Sequence, residues 1–179
     1  MKLKNEKETK KIIEEHNLKR NRIKAFLSYI LNYMINEKKD KPLKTTVMKV
    51  VYLLHSKYNF RFVNFESYLY GPYSRTIDSI LLDLSNNDVV ALKHKISHNG
   101  YDYFVFESAK LPKELEKFLD GSEKEELKKA LDEIYIEFSD KKNRLSLDKL
   151  LDHVYNKDKI YKESEFGEPI KFDETRNCL

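Results

Sequence analysis

The chain has 179 residues, 36% of them charged, a formal net charge of +4 and one cysteine, Cys178. That length suits one elaborated domain with a real core, and a lone cysteine excludes an internal disulfide and a cysteine-based zinc site. No apolar run approaches the ~20 residues of a membrane-spanning helix, and Met1-Lys2-Leu3-Lys4-Asn5-Glu6 lacks the apolar stretch of a signal peptide, so a cytoplasmic protein is expected.

Residues 1–19 are basic through Lys2, Lys4, Lys7, Lys10, Lys11 and Lys19, partly offset by Glu6, Glu8, Glu14 and Glu15, and read as an arm or frayed helical extension. Over residues 20–36, Ile23, Phe26, Leu27, Ile30 and Met34 form an apolar stripe at helical spacing. Pro42 marks a loop, after which Thr45 or Thr46 is expected to cap a helix running to about Lys57. Its inward residues, Val47, Val50, Val51 and Leu54, include poor helix formers, so burial must hold it helical.

Between Asn59 and Leu69 a short strand or extended loop is expected, and Gly71-Pro72 should interrupt regular structure. Ser74 is placed to cap a helix over 75–85 with Ile77, Ile80, Leu81 and Leu84 on its core face, ended by left-handed Asn86-Asn87. Residues 89–96 and 101–107 are β-rich around Asn99-Gly100, the preferred pair of a type I′ hairpin turn. Pro112 opens a short helix closed by Gly121. Ser122 and Glu125 suggest a capping box for a helix carrying Leu127, Ala130, Leu131, Ile134 and Phe138. Ser146 caps a last helix with Leu147, Leu150, Leu151 and Val154, and beyond Asn156 the periodicity is lost.

Four glycines, Gly71, Gly100, Gly121 and Gly167, leave none for a phosphate-cradling loop, and no GxxxxGK or GxGxxG pattern occurs. The serines lie in no nucleophile elbow. His94 and His98, read on one strand, would stand about 13 Å apart at ~3.3 Å per residue, too far to share a metal. His55 reads as a satisfied, half-buried residue. No catalytic residue, metal site or cofactor is assigned.

The order of elements predicts a mainly α, α+β fold: a winged helix-turn-helix core with added N- and C-terminal helices. The divisions are 1–19 arm, 20–110 winged-helix domain, 111–156 C-terminal helices packing on the core or forming a dimer interface, and 157–179 extended tail. The apolar stripes of 20–36 and 123–138 exceed the needs of a minimal winged helix, which suggests a homodimer. The expected function is that of a DNA-binding transcription regulator, with Arg75, Thr76 and Ser79 at the groove and Lys93, Lys95 and His98 at the wing as the candidate contacts to double-stranded DNA. Asp78 and Asp83 on the same helix would repel phosphates. A protein partner is therefore the competing reading, with Tyr70 and Tyr73 as its contacts. Tyr68 and Tyr70 otherwise read as rings that close the core around the Gly-Pro turn.

The stretch Lys49-Val50-Val51-Tyr52-Leu53-Leu54-His55, then Tyr68-Leu69-Tyr70-Gly71-Pro72-Tyr73-Ser74 and the helix ending in Asn87-Asp88-Val89-Val90, resembles the YwgA-like family of small prokaryotic proteins. It is more distantly similar to the Panacea-type antitoxin domain. The similarity covers roughly residues 44–107, and Ser146 to Tyr155 looks like the family's C-terminal helix. The resemblance implies a winged-helix-like fold, no catalysis, and a role in regulation or in neutralising a partner protein. The long basic arm, and Asn-Asn-Asp where a glycine commonly ends the helix, depart from the family pattern.

Overall fold

A 31-residue helix, α1 (Lys2–Asn32), enters the core only over its second half. The computed structural model describes residues 2–69 and 71–172; Tyr70, one of the rings assigned to a partner, and Cys178 lie outside them. From Glu8 to Lys19 every residue of α1 is exposed, whereas Ile23, Phe26, Leu27, Ile30 and Leu31 are buried. The sequence stripe extends to residue 36, but the α-helix stops at Asn32 and a π-helical turn, Tyr33–Glu37, completes it with Tyr33, Met34 and Ile35 inside.

The second helix, α2 (Lys44–Tyr58), is buried on all sides from Thr46 to His55, which explains how a valine-rich segment stays helical. Neither threonine caps it: Leu43 is the N-cap, extended and without a side-chain cap bond. Phe60 and Phe62 then pack on Phe26, with ring centroids 5.8 and 4.3 Å away.

The Gly-Pro turn is not a break. Gly71–Tyr73 form a strand, β2, antiparallel to β1 (Glu66–Tyr68), with Ser67 opposite Pro72. Residues beyond the last predicted helix close this hairpin from its other edge. Ile170 N donates to Phe65 O (2.8 Å), Gly167 N to Ser67 O (2.7 Å) and Ser67 N to Glu168 O (3.0 Å). The tail up to residue 172 is thus partly strand-like.

Helix α3 (Arg75–Asn86) lies as predicted, with Ile77, Ile80, Leu81 and Leu84 buried. Its ends differ from expectation. Ser74 holds the N-cap position, yet its hydroxyl makes no cap bond and is buried without a partner among the described residues. The left-handed residue at the C-terminal end is Asp88 (φ 55°), not Asn86 or Asn87.

The hairpin is formed by β3 (Val90–Ile96) and β4 (Asp102–Ala109), paired antiparallel with an irregularity at Ala91/Leu92. Its turn is not type I′. Gly100 alone is left-handed (φ 79°), its N–H bonds Ser97 O, and Ser97 N bonds Tyr101 O, a three-residue loop that ends in an αL glycine. His98 therefore sits in the turn and not on the strand with His94. On the other edge of β4, Leu43 bridges Val105 and Phe106 N donates to Pro42 O (3.0 Å).

Pro112 precedes α4 (Lys113–Glu116). Gly121 is the first residue of α5 (Gly121–Phe138), not the end of α4, and the capping box is Asp120 with Glu123 instead of Ser122 with Glu125. Ser146 caps α6 (Leu147–Asp152) as expected, followed by a π-helical turn, His153–Lys157, and α7 (Lys159–Lys162). The fold is mostly helical with two small antiparallel sheets. The inward residues of α1 and α5 share one core, where Tyr33 and Tyr135 meet edge-on at 6.2 Å. The stripes that suggested a dimer are thus used within one subunit. Among the described residues no helix is long and apolar enough to cross a membrane.

Candidate binding face

The outward stripe of α3 is Arg75, Ser79, Leu82 and Asn86, spaced i, i+4, i+7 and i+11, with Thr76 beside it. All five are exposed, and Leu82 shows 56% of its surface. The acids expected to repel phosphates are neutralised from other elements. Asp83 receives Lys24 (2.7 Å) and Arg20 (3.0 Å) from α1, and Asp78 pairs with Lys44 at the start of α2. The Lys24 ammonium foremost, with Arg20, holds the Asp83 carboxyl below the usual carboxylate range. Arg75 reaches no closer than 3.5 Å to Glu66.

The hairpin lysines are not free either. Lys93 and Lys95 lie two residues apart on one face of β3, and Glu107 of β4 takes both, at 2.6 and 2.9 Å. Lys93 first, then Lys95, draws the Glu107 carboxyl down to about 2. His94 pairs with Asp102 at 2.7 Å, and His98 is exposed at the turn. The six residues assigned to DNA therefore share no single charged surface: three form one helix stripe, two are bound to one glutamate, and one is at the loop.

A different set of side chains does converge. Tyr68 does not close the core; 45% of its surface is open, and it stacks on Phe166 (6.0 Å) and lies 5.4 Å from the half-buried Tyr73. Leu69 at the hairpin tip and Phe166 are 67% and 64% exposed. Lys44 links this group to the second hairpin, for its ammonium lies 5.5 Å from the Phe104 ring while it pairs with Asp78. An aromatic band thus runs from Phe104 past Lys44 and Tyr73 to Tyr68 and Phe166. Hydroxyls of the C-terminal segment fix its far end: Tyr161 donates to Tyr68 O (3.1 Å) and Tyr155 to Leu69 O (3.3 Å).

In the middle of the band is a cavity of about 240 Å³ between α2, the β1–β2 hairpin and α3, lined by Lys44, Thr45, Met48, Lys49, Tyr68, Gly71, Tyr73 and Asp78. Lys49 is 2% exposed and donates to Pro72 O at 3.0 Å. Burial lowers its ammonium from 10.5 to about 8. Gly71 is required here by its φ of +88°, and a Cβ at this position would press on Lys49 Nζ at 2.9 Å. Sequence reasoning passed over Lys49. The signal was present, since it is the one charge between Thr46 and Leu54.

Further along α2, His55 is buried rather than half-buried, between the rings of Phe172 (4.2 Å) and Phe65 (5.5 Å). Burial, aided by Arg61, lowers it to about 4, so the ring is neutral at pH 7. Its Nδ1 has no partner among the described residues, which corrects the expectation of a satisfied histidine. It lines a wider concavity of about 550 Å³. Among the described residues no three His, Cys, Asp or Glu side chains are grouped to hold a metal.

Comparison with family models, with curated proteins and with solved structures finds no match to this chain.

Proposed function

We propose that this chain is a non-catalytic protein-binding module, and that the aromatic band around the Lys49 cavity is the surface that docks a partner protein. The observation that carries this reading is the exposure of Tyr68, Leu69, Phe104 and Phe166 in one band around a formed cavity. Clustered, partly exposed aromatic rings supply large contact area at small entropic cost and dominate binding hot spots. The resemblance to antitoxin-type proteins points the same way. The scaffold is read as a winged helix: α1, α2, α3 and the β3–β4 hairpin follow that order, and the Leu43–Val105 bridge occupies the place of the third wing strand.

Binding of the tagged full-length protein to extract from its native host tests the reading. A stoichiometric partner retained by the wild type, and lost when Tyr68, Tyr73 and Phe166 are changed together to alanine with the thermal melt unchanged, is the expected result. Retention of the same partner by that variant overturns it.

One observation favours the second reading, a DNA-binding transcription regulator. With Asp78 and Asp83 neutralised, the stripe of Arg75, Thr76 and Ser79 meets solvent without net negative charge. Tight binding to random duplex at ~50 mM salt, falling steeply as salt rises, is the result that would establish it. Homodimerisation would have to use a different surface from the buried stripes. The exposed first half of α1, with Ile12, Ile13 and Leu18 in solvent, is the candidate, and sedimentation equilibrium reads it.

A further inference from the structure

The Lys49 ammonium is the anomaly of the docking face. An ammonium has three N–H donors; one is bound to Pro72 O, and the other two have no acceptor among the described residues. Burial lowers its protonation, and among the described residues no carboxylate forms an ion pair with it; Asp78, in the same cavity, is held by Lys44. Less deeply placed cations elsewhere in the protein are treated differently. Lys44 holds Asp78, Lys24 holds Asp83 and Lys38 holds Asp132. A buried charge without a counter-ion is disfavoured unless a further group completes its shell.

Holding the Pro72 carbonyl does not account for a charge in this position, because a neutral amide donor would satisfy one acceptor without desolvating an ammonium. The surroundings are open on the side that matters. Gly71 keeps the space beside Nζ free, and the cavity lies between Lys49 and the Tyr68 and Tyr73 rings. Its volume, about 240 Å³, is below the ~300 Å³ at which small-molecule sites usually begin. That size suits a single side chain. With Asp78 neutralised by Lys44, Lys49 leaves the cavity with one positive charge.

We propose that this cavity is a carboxylate-binding site, in which the Lys49 ammonium receives the side chain of a glutamate or aspartate carried by an acidic segment of the partner protein, between the rings of Tyr68 and Tyr73. The inference rests on the reading of this face as a docking surface and adds the chemistry of the residue that enters it. The bound carboxylate supplies the acceptor and the counter-charge that Lys49 lacks among the described residues. Charge pairing at the base of an apolar rim gives register and specificity to such a contact.

The test uses the full chain with isotope-labelled lysine and tyrosine, titrated with N-acetyl-glutamate methylamide and, separately, with N-acetyl-glutamine methylamide. The first carries one carboxylate and the second replaces it with an uncharged amide of the same shape. The Lys49 Cε and Tyr68 and Tyr73 ring signals are expected to move saturably with the glutamate probe at millimolar concentration, as a fragment of this size allows. The glutamine probe should bind at least about tenfold more weakly, the margin of a charge-assisted over a neutral hydrogen bond.

Lys49→Met should abolish the movement of the two tyrosine signals. Should that variant fail to fold, Tyr68→Ala, at an exposed ring, should weaken the Lys49 response several-fold. Equal binding of the two probes, or tyrosine shifts that persist in Lys49→Met, overturns the site. So does tighter binding of inorganic phosphate than of the glutamate probe. The probes read Lys49 without any partner present, whereas partner capture reads the exposed rings, so failure of the site and failure of the docking reading give different patterns.

Discussion

Replacing Lys49 with methionine measures what the buried ammonium does to the fold. A drop from 10.5 to about 8, at ~1.4 kcal/mol per unit, corresponds to about 3 kcal/mol of disfavoured charge at pH 7. Methionine has similar length and no charge, but forfeits the bond to Pro72 O, and a charged donor of that kind contributes about 1.5–3 kcal/mol. The two effects oppose each other. Lys49→Met should therefore lie within about 1 kcal/mol of wild type at pH 7, where truncating an ordinary buried side chain costs 2–5 kcal/mol.

The dependence on pH is the sharper check. Because the folded value is depressed, the unfolded chain keeps its proton longer, and between about pH 8 and 10.5 it binds more protons than the folded protein. Stability of the wild type rises with pH across that window, while below it both states are charged and the cost is constant. From pH 7 to pH 9 the linkage relieves about 1 kcal/mol in the wild type and nothing in Lys49→Met. Tyr68, Tyr73, Tyr155, Lys44 and Asp78 around the site are common to both proteins and cancel in the comparison. Urea unfolding at the two pH values reads the difference. Parallel pH dependence of the two proteins would refute the account of Lys49 as a charged group held out of water.

Two further outcomes follow from other parts of the structure. Tyr135 donates to Asp40 Oδ2 at 3.1 Å in the interior, beside Leu145 N at 2.9 Å on the same oxygen; Tyr135→Phe should lower stability by about 1.5–3 kcal/mol in urea unfolding, the range for a hydrogen bond to a charge, and no change would mean that Leu145 N suffices. Glu107→Gln should release Lys93 and Lys95, and under the DNA reading duplex affinity should rise with the salt slope steepening by up to about 0.9 per lysine that gains a phosphate; an unchanged slope places those lysines away from nucleic acid.

What could be read from the sequence followed the range of the interactions involved. The core face of α3 was plain because Ile77, Ile80, Leu81 and Leu84 repeat at the helical period, and the β3–β4 hairpin because two β-rich runs flank Asn99-Gly100. The turn itself differed, since Ser97 closes it by taking Tyr101 N on its hydroxyl and only Gly100 adopts the left-handed conformation. Gly121 misled because a glycine after the end of one helix and at the start of the next look alike. The Asp120–Glu123 box settles it two residues earlier than Ser122–Glu125. The β1 and β2 strands, three residues each, are too short to show a period. Least legible were the pairings that decide the electrostatics. Asp83 with Arg20 and Lys24 joins α3 to α1 over some sixty positions, and no local pattern announces it.

The pairing of residues 167–170 with β1 has a consequence for the order in which the proposed binding surface forms. Phe166, Tyr161 and Tyr155 all secure a hairpin made nearly a hundred positions earlier. During synthesis, which releases the chain from its N-terminus, α1 to α3 can already be packed while Tyr68 still lacks its stacking neighbour. A chain that stops between Lys157 and Tyr161 would keep α1 to α6 but lack Tyr161, Phe166 and the residues that pair with β1. On the proposed reading of this face, losing residues 161–170 would strip its far edge while leaving Ile77, Ile80, Leu81 and the residues shared by α1 and α5 in the core.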